Sequence, residues 1–411
     1  MAANALNQEQ QLPETIVCKW CGKSFHHLKS HISMGRCENL PEAAKGLDVD
    51  EVVKMYTTEF PDEPTISSTA LAKLKEKRAE LHTGDSKVAE ISAHTGYVGS
   101  VEYKTELVAA HELLGVTLKE LGTPRGKPLQ VTVNVNTPYP EFIPEAKKNY
   151  VYGDFDLIKD VFMMLEIGIP GYLWGHAGTG KSSLPTQLCA LLNRPLIRAQ
   201  HTASMEESHV TGQILARDGS TYFEPGLLAL AMKNGWVYLA DEYDFAFPQI
   251  LGVYQPVLEG EPLIVKEATP DWRRITPHKR FAFIGTGNTN GSGDETGLYQ
   301  GTNIQNAANF SRFGIVSNVK YMSPEAETNM LVQAGIIREY AEKIVKFANL
   351  VREGYEQHLI SQPIGPRELL LASKIGMMRG DFAAGIEKAF INKLPSTSAQ
   401  ASREVVQKIF G

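Results

Sequence analysis

Hydrophobic and polar positions follow two alternating periods along the chain from about residue 145 onwards. Short apolar runs typical of buried strands alternate with stretches in which apolar residues recur every three or four positions, as on one face of a helix. The predicted strands of this region are 169–174, 196–200, 235–240, 280–286 and 314–320. The predicted helices beside them are 154–166, 184–192 and 304–310. This order predicts an α/β fold in which helices cover both faces of a parallel sheet.

Two local signals refine this order. The run Arg217-Asp218-Gly219-Ser220 has the chemistry of a hairpin turn, so we expect a small hairpin between the second and third strands. Asn303 precedes the predicted helix 304–310 and is expected to cap it.

The pattern becomes helical throughout after residue 322. The predicted helices are 324–335, 338–357, 366–379 and 382–391. We therefore expect an α/β domain over 145–322 and an all-α domain over 323–411, called here the C-terminal helical domain.

The first 144 residues have a weaker pattern. Residues 1–15 are expected to be disordered, and 1–45 are interpreted as a separate small module. Residues 46–144 are interpreted as a linker and accessory segment. Its predicted helices are 50–57, 70–82 and 101–122. The alternation of Leu129, Val131, Val133 and Val135 with polar residues predicts a half-buried strand after them.

Composition places the chain among ordinary globular proteins. It carries a formal net charge of −6, with 43% hydrophobic and 21% charged residues. No apolar run approaches the roughly 20 residues that a membrane-spanning helix needs. The first residues lack the basic and apolar regions of a signal peptide. These features predict a cytoplasmic protein that makes no membrane contact.

Three of the four cysteines fall within twenty residues, and in a reducing compartment such a cluster favours a metal site over disulfides. The candidate zinc ligands are Cys18, Cys21, His31 and Cys37. Phe25 and Leu28 could supply a miniature core, and the segment resembles a short zinc finger. His26 and His27 are competing ligands, so the fourth position stays open. We expect Zn²⁺ to be structural.

The same segment has a basic character. Residues 16–37 contain four basic residues and no acidic one, which could suit a nucleic-acid backbone. A solvated charged face explains the same residues.

The run GHAGTGKSS follows a predicted strand and precedes a predicted helix, which is the context that a triphosphate-binding glycine loop requires. Its candidate nucleotide-binding residues are Gly175, His176, Ala177, Gly178, Thr179, Gly180, Lys181, Ser182 and Ser183. In such a loop the backbone N–H groups and the helix N-terminus surround phosphate oxygens. Lys181 would reach the β- and γ-phosphates of a nucleoside triphosphate, and the Ser182 hydroxyl would bind Mg²⁺.

Polar residues end two later strands of the predicted sheet. Asp241 and Glu242 follow the strand 235–240, and Asn288 follows the strand 280–286. Because ligands of open α/β sheets bind at the carboxyl ends of the strands, these residues belong to the same site. Asp241 would hold Mg²⁺, and Glu242 would orient and polarise the attacking water. Asn288 would hydrogen-bond the γ-phosphate or this water.

An arginine of the C-terminal helical domain could join them. Pro366 at the first position of the helix 366–379 places Arg367 in its opening turn, where a cation could reach bound phosphate. A solvent-facing arginine is the alternative interpretation.

Residues from about 150 to 411 resemble the AAA+ ATPases of the MoxR and helix-2-insert group, and within it the ATPase subunits of aerobic cobaltochelatase. The resemblance rests on GHAGTGKSS, Asp241-Glu242-Tyr243-Asp244, Pro277-His278, the run 285–303 and Ser311-Arg312-Phe313. The first third of the chain is not part of this family pattern.

The resemblance implies roles for these residues. Lys181 and Ser182 would be Walker A, Asp241 and Glu242 Walker B, and residues Asn288 and Arg367 sensors 1 and 2. Arg312 matches the arginine finger that reaches the nucleotide of a neighbouring subunit, and 213–223 matches the helix-2 insert.

The resemblance also implies partners and a function. It predicts a homo-oligomer, usually a hexameric ring, that uses ATP to remodel a von Willebrand A-type protein partner. The alternative is a nucleic-acid-associated ATPase recruited through residues 16–37.

Overall fold

The computed structural model describes residues 13–33, 36–45, 47–61, 63–70, 102–217 and 219–411. The chain divides into two compact units, Met1–Val98 and Gly99–Gly411. Residues 1–12 of the expected disordered start and nearly all of the predicted helix 70–82 lie outside the described residues.

The first unit is built around the cysteine cluster. Its strands and helices are β1 Ile16–Val17, β2 Ser24–Phe25, α1 Leu28–Ser33 and α2 Val49–Glu59. The strands pair antiparallel. Val52 and the fully buried Tyr56 of α2 pack in one core with Cys18 and Cys37. The helix predicted at 50–57 therefore forms part of the same core as the cysteine cluster.

The second unit contains the remaining elements. Its strands are β3 Thr105–Ala109, β4 Gln130–Asn134, β5 Gly171–Trp174, β6 Leu196–Gln200, β7 Gly212–Arg217, β8 Ser220–Pro225, β9 Val237–Asp241, β10 Leu263–Ile264, β11 Arg274–Ile275, β12 Ala282–Gly287 and β13 Ile315–Asn318. Its helices before residue 323 are α3 Ala110–Leu114, α4 Leu118–Leu121, α5 Phe155–Ile167, α6 Ser183–Leu191, α7 Glu207–Thr211, α8 Leu227–Asn234, α9 Pro248–Leu251, α10 Gln255–Leu258, α11 Pro270–Arg273 and α12 Ala307–Phe310.

Five of these strands form one parallel sheet in the order β13-β5-β12-β9-β6. Every residue of β9 and β12 is buried, which is typical of central strands covered on both faces. Apolar side chains of β5, β9 and β12 pack with α5 and α6 in one core. The predicted parallel sheet with flanking helices is confirmed. The predicted hairpin is present as the antiparallel pair β7 and β8.

The C-terminal region is helical, as predicted. Its helices are α13 Pro324–Gln333, α14 Arg338–Glu356, α15 Pro366–Arg379, α16 Phe382–Ala389 and α17 Ser396–Phe410. They share a core that includes Phe347, Leu369 and Phe390. The hydrophobic pattern of the sequence did not predict α17. Its fully or nearly buried positions are the small residues Ser398, Ala399 and Ser402, which leave a weak hydrophobic period.

The helix predicted at 101–122 is wrong over its first part. Thr105–Ala109 is the strand β3, which pairs antiparallel with β4, and two short helices follow. Val131 and Val133 of β4 are buried in the core of the second unit. Pairing with this distant strand overrides the local helical preference of residues 105–109, as tertiary context often does.

The predicted cap at Asn303 is also wrong. The helix α12 begins at Ala307, and the side chain of Asn306 accepts the N–H bonds of its first turn. Asn303 instead donates its side-chain N–H bonds to the carbonyl oxygens of Phe245 and Ala246. The chain before the helix is thus fixed to the turn that follows β9.

Among the helices of the described residues, none combines the length and apolar character that a bilayer crossing requires.

Candidate nucleotide-binding site

The glycine loop, residues 175–183, connects β5 to α6. Gly175, Gly178 and Gly180 have φ angles of 149°, 81° and 104°, a region that glycine adopts without the steric cost of a side chain. A Cβ atom on Gly175 would lie 2.4 Å from the carbonyl oxygen of Val319. The N-terminus of α6 adjoins the loop, and its partial positive charge favours an anion there.

Lys181 is fixed across this loop. Its Nζ donates to the carbonyl oxygens of Gly175 (2.7 Å) and His176 (2.9 Å) and to Asn288 Oδ1 (3.1 Å). Burial lowers the pKa of Lys181 to about 8, although nearby carboxylates, Asp244 foremost, act in the opposite direction. The structure therefore brings Lys181 and Asn288 together, as the sequence predicts.

Asp241 ends β9 and is buried. Its Oδ1 accepts from the hydroxyls of Ser182 and Thr286, both at 2.5 Å, and its Oδ2 accepts from Arg198 Nε at 2.7 Å. Burial alone would raise the pKa of Asp241, but hydrogen bonds from Ser182, Thr286 and Arg198 outweigh it and lower the pKa. The Ser182 hydroxyl and the Asp241 carboxylate are hard oxygen donors in contact, a set that fits Mg²⁺.

Glu242 follows in a left-handed conformation, with φ 54° and ψ 41°. A non-glycine residue in this region is uncommon and often marks a functional site. The side chain of Glu242 accepts a hydrogen bond from Gln200 Nε2. Glu242 is thus held at the carboxyl edge of the sheet, beside Asp241.

Sequence reasoning missed Arg198 and Gln200, the polar residues at the end of β6. In the parallel register Gln200 lies opposite Asp241. The polar residues at the carboxyl end of β6 were the sequence signal that could have identified Arg198 and Gln200, since β6 lies beside β9 in the sheet.

Asp244 orders the segment that carries Asn288. It is fully buried, and its Oδ2 accepts from the backbone N–H groups of Asn288 (2.8 Å) and Thr289 (2.9 Å) and from the Thr289 hydroxyl (3.0 Å). Burial raises the pKa of Asp244. The sequence assigned no role to this residue, and the structure shows that it connects the turn after β9 to the end of β12.

Tyr299 is a further residue at the glycine loop, and no sequence motif pointed to its role there. Its hydroxyl oxygen accepts from the backbone N–H of Ala177 at 3.1 Å and lies 2.9 Å from His176 Nδ1. The His176 ring stacks on Tyr321 with centroids 5.9 Å apart. Because Tyr299 lies far along the chain, only the fold shows that it contacts the glycine loop.

The two predicted arginines lie in different surroundings. Arg367 lies close to the glycine loop. A Cβ atom built on Gly178 would be 3.6 Å from Arg367 Cβ. Arg312 donates from Nε to Glu259 Oε1 at 2.7 Å and from Nη1 to the carbonyl oxygen of Ala308 at 2.5 Å. These two contacts anchor Arg312 to its own chain outside the group around Lys181.

A cavity of about 390 Å³ adjoins the glycine loop. It is lined by aromatic and apolar side chains together with loop residues, among them Tyr150, Tyr152, Thr179, Gly180, Leu184 and Tyr321. Its volume falls within the range of small-molecule sites, roughly 300–1,000 Å³.

The first unit holds a separate candidate metal site. The ligand atoms of Cys18, Cys21, His31 and Cys37 all lie within 4.8 Å of one another. The sulfur atoms of Cys18 and Cys37 are 3.8 Å apart, and Cys21 Sγ is 3.3 Å from His31 Nε2. A tetrahedral zinc ion would hold two sulfurs about 3.8 Å apart and a sulfur and a nitrogen about 3.6 Å apart. The four residues therefore fit zinc.

The competing histidines have other surroundings. His26 Nδ1 lies 3.0 Å from the Ser67 hydroxyl, and the backbone of His27 pairs with Ile66.

Burial and the neighbouring Cys18 and Cys21 raise the pKa of the Cys37 thiol to about 12. A cation among these sulfurs would offset that cost, because metal ligation favours the thiolate.

Several known proteins resemble part of the chain. Residues 172–302 match the family described as AAA domain (dynein-related subfamily). The chain is 31% identical over 249 residues to the aerobic cobaltochelatase subunit CobS of a Sinorhizobium species, covering 58% of this chain and 74% of that protein. It is 24% identical to an uncharacterized protein of Staphylococcus saprophyticus, over 62% of this chain and 95% of that protein. The Thermotoga maritima RuvB Holliday junction branch migration motor aligns with 66% of this chain and 72% of its own, at 14% identity and a TM-score of 0.38.

Proposed function

The chain belongs to the AAA+ family of P-loop ATPases that includes CobS. We propose that it is a magnesium-dependent ring motor that uses ATP to remodel a protein partner. The observation that carries the proposal is the meeting of Lys181, Ser182, Asp241 and Asn288 at the carboxyl edge of the sheet. Enzymes catalyse phosphoryl transfer almost entirely by positioning the reactants and stabilising charge, and these four side chains can do both.

The glycine loop is the proposed triphosphate site. Its backbone N–H groups and the N-terminus of α6 would surround the phosphates, and Lys181 would neutralise part of their charge. The cavity lined by Tyr150 and Tyr152 supports placement of the nucleoside beside them. Ser182 and Asp241 would hold Mg²⁺, which would supply positive charge to offset that of the phosphates.

Glu242 is the proposed general base. Its carboxylate would accept a proton from the attacking water, and Asn288 would orient this water or the γ-phosphate. In the structure Gln200 bonds to Glu242. Glu242 must therefore exchange this partner for the water before hydrolysis.

The arginines support a shared site. Arg367 lies beside the glycine loop of its own chain. Arg312 is one-quarter exposed, and its contacts are with Glu259 and Ala308, which are not part of the phosphate-binding group. We therefore assign Arg312 to the nucleotide of a neighbouring copy, in a homo-oligomer that we propose to be a hexameric ring.

The proposed partner is a von Willebrand A-type protein, and the hairpin β7–β8 is the candidate contact. Ile214 of this hairpin is 53% exposed, an apolar side chain available to a partner. The relative CobS is named as a cobaltochelatase subunit, so a metal-chelatase-like subunit is one form this partner could take.

The alternative of a nucleic-acid-associated ATPase finds less support in the first unit. Residues 13–70 hold nine acidic and six basic residues. Lys19 pairs with Glu63 at 2.8 Å, and Lys23 pairs with Glu38. Phosphate contacts rely on uncompensated basic side chains, and these pairs neutralise two of the four basic residues in 16–37. Salt-sensitive DNA or RNA binding that is lost on removal of residues 1–98 would restore the alternative.

Two substitutions test the proposed chemistry. Glu242→Gln should bind ATP with affinity near that of the unaltered protein, and its turnover should fall by at least about 100-fold because the base is lost. Lys181→Ala should lose nucleotide binding itself. Titration calorimetry and phosphate release measure the two effects. Glu353→Gln, an exposed carboxylate on α14, is the matched control and should retain both. Normal turnover by Glu242→Gln would contradict the assignment.

The partner can be captured with the same variant. Glu242→Gln with ATP should hold the engaged state, so an affinity-tagged form should co-purify with the partner. A von Willebrand A-type protein would support the proposal. Nucleic acid in its place would support the alternative.

A further inference from the structure

Arg312 does not extend freely from the protein surface. It lies two residues after α12, whose Ala308 carbonyl accepts from Nη1 at 2.5 Å. Glu259 lies directly after α10, and its Oε1 accepts from Arg312 Nε at 2.7 Å. Two separate elements therefore fix one guanidinium.

The backbone of Glu259 is itself anchored. Its N–H donates to the carbonyl oxygens of Gln255 and Pro256, which close the last turn of α10. The carboxylate therefore extends from a fixed point, and the guanidinium that it holds has a defined orientation.

The bonds leave part of the guanidinium available. A guanidinium has five N–H donors, and these two bonds use one on Nε and one on Nη1. Nη2 takes part in neither bond. The side chains of Arg312 and Glu259 are 25% and 49% exposed, so the pair lies at the surface, where a second copy can approach.

We infer that Glu259 is the positioning residue for Arg312, holding the guanidinium so that Nη2 meets a phosphate of ATP bound to the neighbouring subunit. This inference rests on the proposed shared site. A long arginine side chain loses much rotamer freedom when it docks, and a preformed acceptor removes that cost before the subunits meet. In this role Glu259 acts through Arg312.

The side chain at position 259 should affect turnover and leave ATP binding intact. Glu259→Ala removes the acceptor, and loss of such a supporting contact typically lowers activity by about tenfold or more, so kcat should fall by that factor. KM for ATP should stay within about threefold, because the glycine loop of each subunit binds its own nucleotide. Glu259→Gln keeps an oxygen acceptor in the same place and should retain kcat within about threefold. Glu261→Ala, an exposed acidic residue on the same segment, is the control and should match the unaltered protein.

Subunit mixing separates positioning from a general structural role. Lys181→Ala subunits bind no ATP but carry an intact Glu259 and Arg312. Mixed with Glu259→Ala subunits, they should donate a well-placed arginine and raise the rate above the sum of the two separate proteins. The double variant Lys181→Ala/Glu259→Ala should give no such recovery. A folding defect confined to the Glu259→Ala subunit would not be repaired by its neighbour.

The outcomes distinguish this inference from the shared site on which it rests. Unaltered turnover in Glu259→Ala, equal loss in Glu259→Ala and Glu259→Gln, or equal recovery with both mixing partners would overturn the role of Glu259. Arg312→Ala is measured alongside. If Arg312→Ala retains full turnover, the shared site itself is wrong. If Arg312→Ala is inactive while Glu259→Ala is unaffected, the shared site stands and the inference about Glu259 fails.

Discussion

The ammonium group of Lys181 loses its proton at a pH close to neutral. Burial lowers its pKa to about 8 in the nucleotide-free protein. Bound phosphates favour the charged form and raise the pKa again. At pH values above about 8 the empty site has lost this proton, so nucleotide binding must take one up.

We therefore predict a pH-dependent nucleotide affinity. Below about pH 8 Lys181 contributes no pH dependence, and above it the dissociation constant should rise, approaching about tenfold per pH unit. Titration calorimetry in buffers of different ionisation enthalpy should detect proton uptake on binding above pH 8. In Lys181→Arg any remaining binding should lose this dependence, because a guanidinium stays protonated. An affinity that is flat between about pH 7 and 9.5 would contradict the prediction.

Local motifs revealed part of the site, and the fold supplied the rest. Lys181 and Asp241 were predictable because each lies in a short run whose chemistry is tied to one loop or one strand end. Arg198 and Gln200 were not, since their contacts depend on which strand lies beside β9. Tyr299 depends on the path of a long loop back to Ala177. Side chains recruited through tertiary contacts leave no local pattern.

At the scale of elements, a buried ion pair joins two helices of the C-terminal helical domain. Glu327 of α13 is fully buried, and both of its carboxylate oxygens accept from Arg352 of α14 at 2.8 Å. Arg352 also donates to the carbonyl oxygen of Ile364, and its guanidinium lies 3.9 Å from the centroid of the Tyr321 ring. The pair therefore connects α13, α14, the chain before α15 and the segment that follows the sheet.

Removing one partner of this pair should destabilise the second unit. Glu327→Ala leaves a buried guanidinium without its carboxylate and should lower the free energy of unfolding by about 3–5 kcal/mol. Urea denaturation followed by circular dichroism measures the change. Glu325→Gln, an exposed residue of the same helix, should cost about 1 kcal/mol or less. Similar losses in both variants would show that the buried pair contributes nothing specific.

Helices and strands were predicted correctly where the hydrophobic period lies within the segment itself. The prediction was wrong where a strand forms by pairing with residues far along the chain. The helices α14 and α15 follow clear apolar periods, and their predicted bounds agree with the structure within a residue. Residues Thr105–Ala109 form a strand because β4 pairs with them from beyond two intervening helices. No pattern within those five residues indicates that they pair with β4.

At the scale of the whole molecule, the first unit has a core of its own that includes the candidate zinc ligands. Cys18, His31 and Cys37 are buried, and α2 packs on the same core. A module this small seldom folds on its apolar surface alone, so zinc binding and folding should be coupled.

We predict one zinc ion per chain, which elemental analysis measures. A strong chelator should increase hydrogen exchange across residues 13–61, because the core of the first unit loses its cross-link. Once the chelator has been removed and Mg²⁺ restored, ATP hydrolysis by the second unit should differ from that of the untreated protein by no more than about twofold, since its core is separate. Cys37→Ser should reproduce the exchange pattern without chelator. A protein that carries no zinc, or whose exchange is unaltered by the chelator, would contradict this account.

We propose that Arg312 of one protomer completes the nucleotide site of the next. The direct test is the ATP hydrolysis rate per protomer over a dilution series, with the oligomeric state measured by sedimentation at the same concentrations. We expect the rate per protomer to fall on dilution in step with the loss of oligomer. A lone subunit that hydrolyses ATP at a constant rate per protomer across the series would contradict it.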